Sequence, residues 1–212
     1  MKRLLFDFGG VLVDLDKQRC IRAFDALGFD IRPYLGTYVQ AGFFSALERG
    51  EISVAGFCEE LRRVSGLSDL TDEAVVGAWR QYLTGVPAER LELLLKARRH
   101  YPLYVLSNTN SVHWDMARDD YFRYGGRTVE DFFEKVFLSC ELGVEKPSPE
   151  IFRAVVEGIG CDPGEILFFD DSEVNCEAAR RCGLEARIAP AGSVWLDYFD
   201  ADGRLKEETS SN

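Results

Sequence analysis

The sequence predicts an α/β fold, with a doubly wound parallel sheet as its core and a small all-helical domain inserted after the first strand. An apolar, strand-like run occurs at residues 3–8, and such runs return only from residue 103 onward, where they alternate with helical patterns. Residues 16–100 show apolar residues at helical spacing, without strand-like alternation. Strands that alternate with helices pair in parallel, because each crossover returns the chain to the same end of the sheet.

The core elements alternate along the second half of the chain. The predicted strands lie near 103–107, 136–139, 166–170 and 185–189, and the predicted helices near 111–119, 148–160 and 174–183. The aromatic-rich segment 121–134 contains Gly125-Gly126 and is predicted to be a surface excursion. The polar tail at 206–212 is predicted to be disordered.

Helix signals fill the inserted region. Apolar spacing predicts a first helix over residues 16–27. Other residues mark further boundaries, namely the N-caps Ser53 and Thr71, the helix stops Gly66 and Gly85, and the first-turn proline Pro87. We therefore expect a core formed by residues 1–15 and 88–212 and a helical domain formed by residues 16–87.

Composition narrows the class of protein. The chain has 212 residues, a net charge of -11 and no basic stripe, so nucleic acid is not expected as a partner. No apolar run is long enough for a membrane span, and the first strand begins too early to leave room for a signal peptide. The six cysteines form no Cys-x-x-Cys pair. We expect them to be reduced, in a cytoplasmic protein.

Acidic residues end two of the predicted strands. Asp7 follows the apolar run Leu4-Leu5-Phe6 and precedes Gly9-Gly10. Asp170 and Asp171 follow the apolar run that begins at Ile166. The carboxyl ends of parallel strands share one edge of the sheet, where ligands bind in such folds, so these acids are expected to meet there.

A hydroxyl and a lysine are expected at the same edge. Ser107-Asn108 follows the strand near 103–107, and Lys146-Pro147 lies in a loop before a helix. Adjacent acids repel one another unless a cation or a lysine is near. Strand-end acids, a strand-end hydroxyl and a lysine are together the components of a metal-assisted phosphoryl-transfer site.

These four motifs follow one another along the chain as Asp7, Ser107-Asn108, Lys146 and Asp170-Asp171. In this order they resemble the motifs of the haloacid dehalogenase-like hydrolase superfamily. The closest likeness is to its bacterial sugar-phosphate phosphatase branch, which includes glucose-1-phosphate phosphatases. The segments that carry it are residues 6–14 (FDFGGVLVD), 106–110 (LSNTN) and 168–172 (FFDDS), with residues 48–53 (ERGEIS) in the insert. The resemblance implies a Rossmann-like core and a helical cap that closes over the substrate.

The resemblance also implies roles for the core residues. Asp7 would attack phosphorus and form an aspartyl-phosphate. Ser107 would donate a hydrogen bond to a phosphoryl oxygen, helped by the backbone N–H of Asn108, and Gly10 would leave room for the phosphoryl group. Lys146 would neutralise the charge on Asp7 and on the transferring group.

Magnesium is the cofactor that the resemblance implies. Its ligands would be Asp7, the carbonyl oxygen of Gly9, Asp170 and Asp171, which are the oxygen donors that Mg²⁺ prefers. Asn175 resembles a supporting residue of the same motif.

Gly9 stands where most phosphatases of the superfamily have a second aspartate, which protonates the leaving oxygen. General acid–base catalysis contributes about 10² to 10⁴ in rate, so slow turnover of ordinary sugar phosphates is the default expectation. A good leaving group would remove the need for an acid, or a cap residue or Asp14 would supply the proton. The phosphatase branch also has glycine here, which argues against inactivity.

Gly9 leaves two other functions open. Haloacid dehalogenases also lack the second acid, but they need no metal and lack the acid pair, so Asp170-Asp171 favours phosphoryl chemistry. The second alternative is a catalytically weak protein that binds a phosphorylated ligand.

The remaining expectations concern the cap and the partner. Phe43, Phe44 and Arg49 are expected to select the substrate, whereas His113 is expected to be a packing residue. The sequence thus predicts a cytoplasmic, Mg²⁺-dependent phosphatase of a small phosphorylated metabolite, as a monomer or weak homodimer.

Overall fold

A five-stranded sheet forms the core. The computed structural model describes residues 1–37 and 39–206, so residues 207–212 of the tail predicted to be disordered lie outside the described residues. The sheet strands are β1 (Arg3–Phe6), β4 (Leu103–Ser107), β5 (Lys135–Leu138), β6 (Ile166–Asp170) and β7 (Glu185–Ile188). They pair in parallel in the order β5-β4-β1-β6-β7, which confirms the predicted doubly wound fold.

Helices fill the insert and cover the sheet. The insert contains α1 (Lys17–Ala26), α2 (Gly42–Glu48), α3 (Val54–Ser65) and α4 (Asp72–Arg80). The core helices are α5 (Ala88–Ala97), α6 (Ser111–Met116), α7 (Val129–Phe132), α8 (Ser139–Leu142), α9 (Pro149–Ile159) and α10 (Glu173–Arg181). Within residues 1–37 and 39–206, no helix has the length and apolarity to cross a membrane.

The register of the sheet brings the motifs together. Phe6 in β1 pairs with Val105 in β4 on one side and with Phe169 in β6 on the other. The residues that follow these three strands therefore lie side by side at one edge. β4 and β6 are buried along their whole length, so their side chains fix the position of that edge.

The insert has a hydrophobic core of its own, built from residues such as Phe24, Phe44, Phe57 and Trp79. The predicted N-caps are confirmed: the Ser53 side chain accepts from the backbone N–H of Gly56, and the Thr71 side chain accepts from that of Ala74. Gly66 ends α3 in the left-handed conformation, as predicted. We propose the boundaries 16–87 for this cap, supported by its separate cluster.

The prediction of an all-helical insert is wrong at one point. A three-residue strand, β3 (Leu83–Gly85), pairs antiparallel with β2 (Asp14–Leu15). Gly85 therefore ends a strand and not a helix. The partner strand lies about 70 residues away, and three residues are too few to show periodicity, so the local sequence carried no signal for this ribbon.

The segment 121–134 is not a surface excursion, contrary to expectation. Phe122, Phe132 and Phe133 are buried in the main core cluster. The rings of Phe122 and Phe133 meet edge to face, with centroids 5.5 Å apart. The glycines suggested a loop, but the three aromatic rings provide enough apolar surface to fold the segment onto the core.

The end of α2 is fastened to the core. The Ser139 hydroxyl donates to the carbonyl oxygen of Glu48 at 2.5 Å and accepts from the backbone N–H of Thr109 at 2.9 Å. One Arg49 guanidinium nitrogen lies 3.5 Å from a carboxylate oxygen of Glu145. At Gly50, φ is +67° and an added Cβ would lie 2.0 Å from the carbonyl oxygen of Cys140. The cap and core backbones thus approach too closely for any side chain.

Replacing Gly50 by alanine should push the cap away from the core. The φ is positive at both Gly50 and Gly66, but nothing lies within 4 Å of a Cβ at Gly66. We expect Gly66→Ala to cost about 1–2 kcal/mol of unfolding free energy from backbone strain. Gly50→Ala should cost about 1–3 kcal/mol more from the clash. Urea unfolding of both variants measures the difference, and equal losses would contradict the close approach.

Candidate active site

Lys146 lies between two of the strand-end acids. Its Nζ is 2.6 Å from Asp7 Oδ1, 2.6 Å from Asp170 Oδ2 and 3.3 Å from the carbonyl oxygen of Leu106. The lysine is 2% exposed. Burial lowers the pKa of Lys146, but Asp170 and Asp7 raise it above its ordinary value. The ammonium therefore stays charged and holds both carboxylates in place.

The loop that follows β4 positions Lys146. The Asn108 side chain donates to the carbonyl oxygen of Lys146 at 2.9 Å and accepts from its backbone N–H at 2.7 Å. This two-point contact joins the strand-end motif at Ser107-Asn108 to the lysine loop. Ser107 itself is buried at the end of β4.

Asp170, the last residue of β6, is completely buried and accepts hydrogen bonds from the N-terminal end of α10. Its Oδ1 accepts from the backbone N–H of Ser172 at 2.8 Å and from the Asn175 amide at 3.0 Å. Asn175 thus supports the acid pair, as its position in the motif suggested. Asp171, the next residue, lines the cavity that faces the cap.

The three carboxylates form a cluster that fits a divalent cation. Ligand oxygens of Asp7, Asp170 and Asp171 lie within 4.8 Å of one another. One ammonium faces three acids, so the cluster has an excess of negative charge. Burial, Asp170 and Asp171 raise the pKa of Asp7 to about 7, although Lys146 lowers it; burial and Asp170 raise the pKa of Asp171 to about 6. Oxygen donors under this mutual repulsion fit Mg²⁺.

A cavity of about 80 Å³ lies in front of Asp7. Its walls come from the core and from the cap, and the core residues among them are Asp7, Phe8, Gly9, Asn108, Thr109, His113, Lys146, Asp171 and Asn175. The predicted site residues Asp7, Gly9, Asn108, Lys146 and Asp171 thus share one cavity. The other predicted residues, Ser107, Gly10 and Asp170, are not on its wall.

The haloacid dehalogenase-like hydrolase family model matches residues 1–183 of this chain. The chain belongs to this family. The match confirms the superfamily predicted from the four motifs and, with it, the prediction of an enzyme.

Individual relatives align with nearly the whole length of this hydrolase. D-ribitol-5-phosphate phosphatase of Bacteroides thetaiotaomicron is 35% identical over 196 residues, or 92% of this chain and 95% of the relative. A HAD family enzyme of the same organism, solved with magnesium and inorganic phosphate, is 41% identical with a TM-score of 0.89 and covers 94% of this chain and 100% of that one. A predicted HAD-like hydrolase from Porphyromonas gingivalis is 36% identical with a TM-score of 0.85, covering 93% of this chain and 95% of that one. Magnesium in the solved relative agrees with the cofactor expected here.

Two adjacent glycines of the hydrolase have different surroundings. Gly10 has φ +84°, and an added Cβ would lie 2.7 Å from Asp171 Oδ2. A side chain at position 10 would thus displace the Asp171 carboxylate from its place. At Gly9 the nearest atom to an added Cβ is Leu15 Cδ1 at 3.5 Å, an ordinary contact, and φ is not in the left-handed region. Position 9 therefore has room for a side chain.

His113 joins the core to the cap and also lines the cavity. Its Nε2 lies 3.0 Å from the carbonyl oxygen of Trp79 in α4, and its Nδ1 lies 3.4 Å from the Asn110 amide nitrogen. A carbonyl only accepts, so Nε2 carries the proton and Nδ1 accepts from Asn110. Burial lowers the pKa of His113 to about 4, which keeps the ring neutral.

Asp14, one of the acids expected to supply a proton, is not positioned to act in the cavity. Its carboxylate accepts from Arg90 at 2.7 Å, and the buried Arg90 also donates to the carbonyl oxygen of Leu12 at 3.0 Å. Asp14 is not among the residues that line the cavity. It instead neutralises a buried guanidinium beneath the ribbon.

The cap wall differs from the one predicted. Neither Phe43 and Phe44 nor Arg49 lines the cavity among the described residues. Phe44 lies in the core of the cap, and Arg49 pairs with Glu51 at 2.7 Å on the surface. This side of the cavity is lined by Leu15, the last residue of the first core segment, and by the cap residues Thr37, Gln40, Glu48, Tyr82 and Leu83. No local pattern in the sequence marks these residues, because they meet only when the cap docks.

Replacing Gly10 by alanine should displace Asp171 and weaken Mg²⁺ binding. Gly126 is the matched control, because its φ is +78° and nothing lies within 4 Å of an added Cβ. In the wild type and in Gly126→Ala, Mg²⁺ should raise the melting temperature; in Gly10→Ala most of this shift should be lost. An unchanged Mg²⁺ shift in Gly10→Ala would contradict the close approach of Asp171.

The neutral His113 predicts a pH-dependent stability. The folded pKa of about 4 lies below the ordinary 6.5, so the unfolded state binds more protons between these values and stability falls as the pH drops through this window. At pH 5 this loss is about 2 kcal/mol relative to pH 7. Urea unfolding of the wild type and of His113→Gln at both pH values should show the extra stability of the wild type shrinking at pH 5. A difference that is the same at both pH values would contradict the neutral ring.

Proposed function

We propose that this hydrolase is a Mg²⁺-dependent phosphatase that acts on a small phosphorylated metabolite of the sugar-phosphate class. The observation that carries the proposal is the Asp7 carboxylate, which is fixed through Oδ1 by Lys146 at 2.6 Å and opens onto the cavity beside Asp171. The name of the ribitol-phosphate phosphatase supports the substrate class. The magnesium and phosphate bound by the solved relative support the cofactor and the reacting group.

Asp7 is the nucleophile of the first step. Its backbone N–H donates to the carbonyl oxygen of Phe169 at 2.8 Å, so the residue continues the sheet and is held rigidly. With Oδ1 bound to Lys146, Oδ2 is the oxygen available to attack phosphorus. The bond from phosphorus to the leaving oxygen breaks, and an aspartyl-phosphate remains on Asp7.

Lys146 and the Mg²⁺ that the acid cluster would hold compensate the negative charge of the phosphoryl group. Asp7, Asp170, Asp171 and the carbonyl oxygen of Gly9 would hold Mg²⁺, which when bound neutralises the phosphoryl oxygens. Lys146 bears the second positive charge. The backbone N–H of Asn108 and the Ser107 hydroxyl are the proposed donors to the phosphoryl oxygens, and Gly10 leaves them space.

The cap side of the cavity is polar and suits a hydroxylated leaving group. Thr37, Gln40 and Glu48 face the phosphoryl position from the cap. The Gln40 Oε1 atom is buried and has no hydrogen-bond partner among the described residues. A buried acceptor without a partner is costly, so a substrate hydroxyl that donates to it would bind favourably.

Neither alternative function explains the acid cluster as well. A metal-independent dehalogenase gains nothing from three carboxylates within 4.8 Å, since two of them would only repel its nucleophile. A protein that only binds phosphorylated ligands needs no carboxylate aimed at the phosphorus. Release of the phosphoryl group as inorganic phosphate distinguishes the phosphatase from both.

We infer a reducing, cytoplasmic location, which the six free cysteines support.

Asp7→Asn should abolish turnover while the protein stays folded. The amide is a poor nucleophile, so phosphate release should fall by about 10⁴-fold or more. Inorganic phosphate released from a panel of sugar and sugar-alcohol phosphates and p-nitrophenyl phosphate, with Mg²⁺ and with EDTA, measures this.

Asp16→Asn is the matched control for Asp7→Asn. Asp16 caps α1 through its side chain, and asparagine caps a helix about as well. This control should keep full activity. Retained turnover in Asp7→Asn, or turnover that survives EDTA, would contradict the mechanism.

A further inference from the structure

Glu48 is a buried acid of the cap, and it lines the cavity that also contains Asp7. It is the last residue of α2, is 5% exposed and lines the same cavity as the nucleophile. The backbone of Gln40 lies near enough to its carboxyl group to lower the pKa of that group slightly. Among the described residues, no cation lies within ion-pair distance of this carboxyl group. A buried acid without a counterion is expensive to keep, so a functional reason is expected.

The core holds Glu48 in a fixed place relative to the strand-end motifs. The Ser139 hydroxyl lies 2.5 Å from the carbonyl oxygen of Glu48 and 3.1 Å from that of Thr109, which lies two residues beyond Ser107. The close approach of Gly50 to Cys140 fastens the chain again two residues later. Glu48 therefore belongs to the docked edge of the cap, and its backbone has a defined position relative to the core.

The surroundings of Glu48 favour its protonated form. Burial and the nearby Glu145 raise the pKa of this carboxyl well above its ordinary value, against smaller opposite effects of the Gln40 backbone and Arg49. The other titratable groups that face it are Tyr82, between α4 and β3, and Cys140 in α8. A carboxyl group whose protonated form is favoured can act as a proton donor.

The carboxyl groups of the cavity divide into two sets. Asp7, Asp171 and Glu48 are the acids that line it within the described part of the chain. Asp7 and Asp171 belong to the cluster below the phosphoryl position, together with Lys146. Glu48 is the acid that the cap contributes to the wall, and it is the candidate to meet a leaving group that departs toward the cap. Gly9, beside the nucleophile, provides no proton.

We propose that Glu48 is the general acid and base of the reaction, supplied by the cap in place of a side chain at position 9. The assignment rests on the proposed phosphatase function. It predicts an alcohol as leaving group, because only a poor leaving group requires the proton.

The proton that Glu48 gives up in the first step returns to it in the second. As Asp7 Oδ2 bonds to phosphorus, the bond to the leaving oxygen breaks, its electron pair stays on that oxygen, and the Glu48 proton moves there to give the alcohol. The Glu48 carboxylate then removes a proton from the water that attacks the aspartyl-phosphate. The bond between phosphorus and Asp7 breaks, which releases phosphate and restores both the Asp7 carboxylate and neutral Glu48.

The test compares two leaving groups in Glu48→Gln. The substrates are p-nitrophenyl phosphate, whose leaving group departs without a proton, and the alkyl phosphate of the panel above that the wild type hydrolyses fastest. Glu48→Gln should lower kcat/KM, which reports the steps up to departure of the leaving group, by about 10² to 10⁴ for the alkyl ester and only a few-fold for the aryl ester. Glu51→Gln, an exposed acid on the same segment, is the matched control and should leave both rates unchanged.

A second variant separates chemistry from structure. Position 9 accepts a side chain, so Gly9→Asp in the Glu48→Gln background should recover part of the alkyl rate, which repair of a merely structural defect would not do. Thermal melts check that each variant is folded.

The results that would overturn the assignment are distinct. An unchanged alkyl kcat/KM in Glu48→Gln, or equal losses of kcat/KM for both esters, overturns Glu48 as the acid while leaving the phosphatase intact. A folded wild type that releases phosphate from neither ester contradicts the proposed function, and the assignment with it.

Discussion

The Lys146 ammonium, 2% exposed and 2.6 Å from both Asp7 and Asp170, is the contact on which the arrangement of the site depends. It joins the ends of β1 and β6, and through the Asn108 clamp it also fixes the end of β4. Breaking a buried ion pair by removing one partner typically costs about 3–5 kcal/mol, because a charge is left without compensation. One lysine therefore holds Asp7, the acid pair and the loop after β4 in register.

A single positive charge does not balance three acids. Burial, and after it the repulsion that remains among the acids, raise the pKa of Asp7 to about 7 and that of Asp171 to about 6. A divalent cation would offset this repulsion and favour the carboxylate form of both groups. The cluster therefore favours the binding of Mg²⁺. Gly10 has no side chain and leaves the space beside the Asp171 carboxylate free.

The sequence was sufficient for the features that depend on local pattern. Apolar runs closed by Asp7, Ser107 and Asp170 located three strand ends, and a parallel sheet places such ends together. Features set by long-range docking were missed. The ribbon at Leu83–Gly85 pairs with residues far away in the chain, and Glu48 becomes a cavity residue only when Ser139 fastens the end of α2 to the core. Phe43 and Phe44 were wrongly predicted to contact the substrate. Apolar side chains fit the interior of the cap better than the polar wall of the cavity.

The central claim is that Asp7 carries the phosphoryl group between the two steps. Rapid acid quenching during turnover of an alkyl phosphate with Mg²⁺, followed by peptide mass spectrometry, tests it directly. The account predicts one phosphoryl group on the peptide that contains Asp7, and none when EDTA replaces Mg²⁺. An active enzyme that carries the phosphoryl group on another residue, or on none at any quench time, would contradict it.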